Sequence, residues 1–274
     1  MTTIRPVRLN HFNLVLKDLD ATVDHLTGLY GGEFLADIPN PETHACLVEI
    51  GRIIFEVFIP RAWLLSSRYG PHFVGLEYHA DLTVVRQAVT ERGIGIVRDI
   101  GLALHTDPAD TLGVAFEFYD GYFHDRTWDA LDGRLMQPAS YWANKHPLGI
   151  TGLKCWTLAV YDIAQAAEFL EGFIGARQVY ATGRPGIDAR ALGLAVSDDT
   201  IELLAPTGPG ALDDHLRRHG QGIRSVVFAV RDLEAVRRYF GERQVALVAG
   251  SAIGALAVPA EANLGVVFEF VTAD

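Results

Sequence analysis

Four times along this chain an apolar run ends in an Asp, an amphipathic segment follows, and a later apolar run carries a single Glu. The pattern is clearest in residues 70–120, from GPHFVGLEYHADL through TVVRQAVTERG to DPADTLGVAFEFYD. The opening runs are HFNLVLKDLD from His11, HFVGLEYHADL from His72, CWTLAVYDIA from Cys155 and SVVFAVRDLE from Ser225. Their acids are Asp18, Asp81, Asp162 and Asp232. Apolar residues then recur at three-to-four spacing, the period of one helix face, and three of the four segments stop at or beside Gly. An Asp just before a helix accepts bonds from first-turn N–H groups that have no partner inside the helix, which accounts for its recurrence. Internal repeats of this size decide the architecture, because each unit must bury its apolar face against a neighbour.

Each unit closes on a carboxylate: Glu56 in IIFEVFIP, Glu117 in VAFEFYD, Glu202 in TIELLAP and Glu269 in VVFEFVTAD. Strand residues alternate between faces, so such a Glu lies opposite its immediate apolar neighbours. A carboxylate there is costly unless it is paired, hydrogen-bonded or bound to a metal. Its recurrence points to an inherited site, kept in some copies and idle in others. His11 stands 45 residues before Glu56, and His72 stands 45 residues before Glu117. Two imidazoles and two carboxylates from equivalent places suit Zn, Ni, Co, Mn or Fe, with a position open for water or substrate. His72 lies nine residues before Asp81, whereas His11 lies seven before Asp18. Val74 fills the matching place if nothing is inserted, and His79 competes as the second imidazole.

The second half keeps Glu202 and Glu269 but has Cys155 and Ser225 at or beside the place of His11. Arg224 cannot ligate a cation, and a guanidinium there is expected to pair with Glu269. A working N-terminal half and a degenerate C-terminal half follow. Residues 121–148 break the pattern, so the expected division is a metal-binding domain over 1–120, a linker over 121–148 and a second domain over 149–274.

The net charge of −11 argues against nucleic acid or an anionic membrane surface as partner, since phosphates call for clustered Lys and Arg. No apolar run approaches the roughly 18 residues of a membrane span, and the first residues lack the apolar stretch of a signal peptide. Cys46 and Cys155 form no CxxC and read as buried thiols, with a single disulfide left open. A cytoplasmic protein is expected.

With these residues in place, the chain resembles the vicinal oxygen chelate superfamily, which includes glyoxalase I, methylmalonyl-CoA epimerase, extradiol dioxygenases and the bleomycin and fosfomycin resistance proteins. The likeness covers nearly the whole chain outside the linker. YGPHFVGLEY is similar to the glyoxalase YGH followed by a strand, with Pro71 inserted, and ELLAPTGPGALDDHLRRHGQGIRSVVFAV is similar to the second-module entry of epimerases. The resemblance implies an α+β fold of four βαβββ modules paired into two half-open sheets. It places a divalent metal on His11, Glu56, His72 and Glu117, with Glu56 and Glu117 as catalytic carboxylates.

The implied chemistry is that of a lyase or isomerase working on a metal-chelated enediolate or enolate of a small oxygenated substrate. The alternative is an Fe(II) extradiol-type dioxygenase, with Tyr119, Tyr122, His105 or His124 as its acid–base residue. A third reading is a metal-free binding protein with Trp63, Trp128, Trp142 and Trp156 lining a cleft. Arg61, Arg68 and Arg98 are the cations on offer to an acidic substrate. Module one pairs with module two within the chain, with module four, or across a homodimer.

Overall fold

A computed structural model describes residues 1–39, 44–59 and 72–273, the side chains of Pro39 and His72 excepted. Module one comprises β1 (Arg8–Val15), α1 (Leu19–Tyr30), β2 (Glu33–Pro39), β3 (His44–Ile50) and β4 (Ile53–Ile59). Module two comprises β5 (His72–His79), α2 (Leu82–Arg92), β6 (Ile96–Asp99), β7 (Ala103–Thr106) and β8 (Ala115–Tyr119). After the short α3 (Ala139–Asn144), module three runs through β9 (Ile150–Ala159), α4 (Ile163–Ile174), β10 (Arg177–Arg184), β11 (Ala189–Val196) and β12 (Asp199–Pro206). A further helix, α5 (Ala211–His219), leads into module four: β13 (Gly222–Val230), α6 (Leu233–Glu242), β14 (Val248–Ala249), β15 (Leu256–Val258) and β16 (Val267–Thr272).

The recurring aspartates cap the four module helices. Asp18 accepts from the Ala21 N–H, Asp81 from Thr83 and Val84, Asp162 from Ala164 and Gln165, and Asp232 from Glu234. A cap of this kind stabilises a helix by about 1 kcal/mol. Three of the helices end on a left-handed glycine, Gly31, Gly93 or Gly175. The fourth, α6, ends at Arg243 instead.

The strands form two eight-stranded sheets, ordered β2-β3-β4-β1-β5-β8-β7-β6 and β10-β11-β12-β9-β13-β16-β15-β14. In every module the first and last strands are parallel neighbours: β1 with β4, β5 with β8, β9 with β12 and β13 with β16. This order brings the strand that opens each module beside the strand that carries its closing Glu. The fold is the expected α+β arrangement of four βαβββ modules in two half-open, glyoxalase-like sheets.

By proximity of Cα atoms the chain also divides into two compact units, Met1–Asn10, Val74–Tyr122 and Cys155–Arg224 in one, and His11–Phe73, Phe123–Lys154 and Ser225–Asp274 in the other. The first unit holds most of modules two and three. Phe116 and Phe118 meet the Phe173 ring edge-on at 5.9 and 6.1 Å, and Tyr78 and Trp156 both donate to a buried Asp199. The second holds most of modules one and four, where Phe55 and Tyr30 lie 5.1 and 5.2 Å from Phe268. Both cysteines are buried and unbonded to each other. No helix among the described residues is long and apolar enough to cross a membrane.

Candidate metal centre

Alternation along β1 puts His11 and Asn13 on one face and Phe12 and Leu14 on the other. Register then carries that face across the module. His11 lies opposite Ile54 and Asn13 opposite Glu56 on β4, and Leu47 lies opposite Glu56 from β3. The His11 Nε2 stands 3.4 Å from Glu56 Oε2, while its Nδ1 is 2.8 Å from Asn13 Oδ1. With the Nδ1 proton donated to Asn13, Nε2 faces the carboxylate either as a lone pair, which a cation between them would satisfy, or as a proton donor.

Module two repeats the theme with different residues. Glu77 on β5 lies opposite Glu117 on β8, and His105 on β7 lies opposite Glu117 from the other side. His105 Nε2 is 3.1 Å from Glu117 Oε2. Glu77 accepts from Asn10 Nδ2 at 2.7 Å, and the same amide donates to the Gly121 carbonyl at 3.1 Å. Glu77 and Glu117 are both buried, and like charges so placed disfavour one another unless a proton or cation intervenes.

Among the described residues, His11, Glu77 and Glu117 form a buried group whose ligand atoms all lie within 4.8 Å of one another. One imidazole and two carboxylates form a hard, oxygen-rich donor set that fits a divalent ion. Of the four ligands expected from sequence, His11 and Glu117 belong to this group, and Glu56 stands beside His11. His72 opens β5, but its side chain lies outside the described residues. The competing His79 sits on β5 opposite Tyr119 and is not a member of the group.

Glu77 lies on a module-opening strand, away from the closing acids that the repeat singles out, yet GLEYH sets a Glu among apolar neighbours just as IIFEVFI does. His105, expected only as an acid–base residue of a dioxygenase, is a partner of Glu117.

The glutamates of the second half are held by side chains of the protein itself. Glu202 accepts from Tyr180 Oη at 2.7 Å and Arg184 Nε at 3.0 Å, and Arg184 Nη2 also reaches it. Glu269 accepts from the hydroxyls of Ser225 and Ser251, each at 2.7 Å, and from the Ser251 N–H. Arg184 thus gives Glu202 a guanidinium partner of the kind expected for Glu269.

Burial also pushes Asp199 up to about 7, against the opposing hydrogen bonds from Trp156 and Tyr78. Glu49 on β3 is raised to about 7 by the same cause, although it accepts from Trp142 Nε1 at 2.9 Å and the Gln137 N–H at 2.8 Å. Trp142 and Trp156 are thus core residues, Trp128 is half-buried, and Trp63 lies outside the described residues, as do Arg61 and Arg68.

No protein-family model matches the chain, and no curated protein matches it. Among solved structures it is similar to a mutant of 4-hydroxymandelate synthase from Streptomyces coelicolor, at 15% identity over 98% of this chain and 93% of that one, with a TM-score of 0.73. A variant of homoprotocatechuate 2,3-dioxygenase from B. fuscum superposes with a TM-score of 0.66, at 13% identity over 99% of this chain and 72% of that one. Methylmalonyl-CoA epimerase from Mycobacterium tuberculosis matches 46% of this chain and 89% of its own at 25% identity, with a TM-score of 0.43. The first two matches, at 15% and 13% identity, show a likeness of architecture: the chain has the two-domain, four-module vicinal oxygen chelate fold.

Proposed function

We propose that this chain is a divalent-metal-dependent enzyme that moves a proton on a small oxygenated substrate, a lyase or isomerase of the glyoxalase-like type. The observation that carries this reading is the buried group of His11, Glu77 and Glu117. His72 is kept as a further ligand from its place at the start of β5. A bound divalent ion supplies Lewis acidity to two neighbouring substrate oxygens and so favours an enolate-like charge.

The protein's own residues do the rest. Asn13 fixes the His11 ring through Nδ1, and His105 holds one oxygen of Glu117. Such outer contacts orient ligands and tune their basicity. Glu56, beside the ligand group and outside it, is assigned the general base, with Glu117 in the ligand set. Its carboxylate stands 3.4 Å from the His11 ring, beside the ligand group, where a general base must lie to reach the proton it takes. Residues 1–120, 121–148 and 149–274 are taken as catalytic domain, connection and degenerate domain.

Ring cleavage by an Fe(II) dioxygenase is the second reading. It draws on the two-domain fold shared with homoprotocatechuate 2,3-dioxygenase, and His105 is then the acid–base residue. Metal analysis of protein purified without a His tag is the test. About one Zn, Ni, Co or Mn per chain, with solvent deuterium entering substrate and no oxygen uptake, is the expected result. Stoichiometric iron with oxygen consumption on catechols would replace it with the dioxygenase, and a metal-free protein would leave a binding module. His11→Ala and Glu117→Gln should each lower metal retention at least tenfold, with an unchanged circular dichroism spectrum.

A further inference from the structure

The His11 side chain is enclosed, with 0% of its surface exposed, so nothing from solvent reaches it while its cover stays in place. Part of that cover is the connection after β8, which folds back over module one. Phe123 meets the His11 ring edge-on at 4.8 Å, and the Trp128 ring lies 5.0 Å from Phe123. Phe123, Trp128 and Met136 pack with Leu47 and Ile54, which share the face of His11 and Glu56 by register.

The two ends of this segment are held unequally. At Gln137 the backbone N–H donates to the buried Glu49 carboxylate at 2.8 Å, the carbonyl accepts from Arg52 Nη1 at 3.3 Å, and the side-chain amide donates to Glu33 at 3.1 Å. Glu49 is itself fixed by the Trp142 indole and the Arg52 N–H. Ahead of Gln137 the ties are fewer. An exposed Asp125 pairs with Arg52 at 2.9 Å, and the Arg134 N–H donates to the Leu35 carbonyl at 2.7 Å. Residues 125–127, 129–132, 134 and 135 are exposed. Asp125, Trp128 and Asp132 hold φ of 59°, 56° and 50°, and left-handed backbone at non-glycine residues gathers in switch regions. Few apolar anchors, exposed backbone and strain together mark a segment that opens locally, well short of unfolding.

We propose that residues 123–135 form an autoinhibitory strap over the His11 centre. Packed down, the Phe123 ring shields His11; lifted from module one, with Gln137 as its fixed end, the strap lets ions and ligands pass. The proposal rests on the metal-centre reading for what is shielded, and not for the motion. A lid of this kind excludes water when closed and sets the rate of exchange by its opening. Gly133 shows how closely the strap is laid down, since a Cβ there would stand 2.7 Å from the Leu35 carbonyl oxygen. Gly133→Ala therefore wedges the strap upward without altering a ligand residue, and Phe123→Ala removes the shield.

Two measurements on the full chain need no metal. Diethyl pyrocarbonate modifies accessible imidazoles, and mass spectrometry reads its rate at His11 after chelator treatment. His11 should react slowly in the parent and at least about tenfold faster in both variants, since each loses packing that holds the strap closed. In the parent, amides within 123–135 should exchange hydrogen at least about tenfold faster than those of β4, as expected of a locally opening segment. An unchanged His11 rate in either folded variant, or strap amides protected like those of β4, overturns the strap. In the chain loaded with Zn²⁺, transfer of the ion to EDTA should level off as EDTA is raised, its rate then set by lifting. Phe123→Ala should transfer faster at unchanged metal content. Transfer that rises in proportion to EDTA throughout overturns the gate. A parent that holds no Zn²⁺ sinks the metal centre separately, and the first two measurements still decide the strap.

Discussion

A glutamate inside an apolar strand is held by whatever its neighbours supply, and the four module-closing glutamates divide on that ground. Glu56 and Glu117 face imidazoles, which can share a cation with them, whereas Glu202 faces a guanidinium and a phenol, which cannot. The Glu202 carboxylate also lifts the Tyr180 hydroxyl beyond its ordinary range, behind burial as the larger cause. Arg184 is accordingly a structural residue. Arg184→Leu should lower stability by about 3–5 kcal/mol, because breaking a buried ion pair strands the remaining charge. Urea denaturation measures this, and metal content should not change. A loss under 1 kcal/mol would mean that Glu202 is relieved by protonation or by water.

Among the elements, the pairing of β5 with β8 decides whether Glu77 and Glu117 come together at all. Gly75 is the residue that permits it, since a Cβ there would lie 1.9 Å from the Ala115 carbonyl oxygen. That contact is backbone and cannot yield as a flexible side chain does. Gly75→Ala should therefore push the strands apart, lowering the thermal midpoint by several degrees and releasing metal more readily than the parent. A variant that melts and holds metal like the parent would show that β5 has slack the register does not suggest. Counting back from the capping Asp puts Val74 in the place of His11, whereas pairing with the closing Glu makes Asn13 the counterpart of Glu77. Register against a partner strand, not distance along the chain, defines equivalence in a sheet.

Taken whole, the molecule carries two buried acids outside the site, Asp199 and Glu49, each raised to about 7. Below roughly pH 4 both states of the chain hold these protons, and between there and about 7 the folded state binds protons that the unfolded one releases. This contribution to stability is therefore full at low pH and is lost as pH rises through 7. Asp199→Asn should flatten the fall in thermal midpoint between pH 5 and pH 8, measured at fixed salt. Parallel curves for parent and variant would show that Asp199 stays charged throughout.

The amino-acid sequence alone determined the four repeats, the aspartate caps, the glycine stops and the acids closing each module. All of these are written in spacings of a few residues, where 3.6-residue and two-residue periods and first-turn N–H groups act. Only tertiary structure decided which side chains share a face, that Glu77 joins His11 and Glu117, and that the connection folds back over module one. Those outcomes depend on strand register and on packing between residues far apart in the chain, where no local period survives to be read.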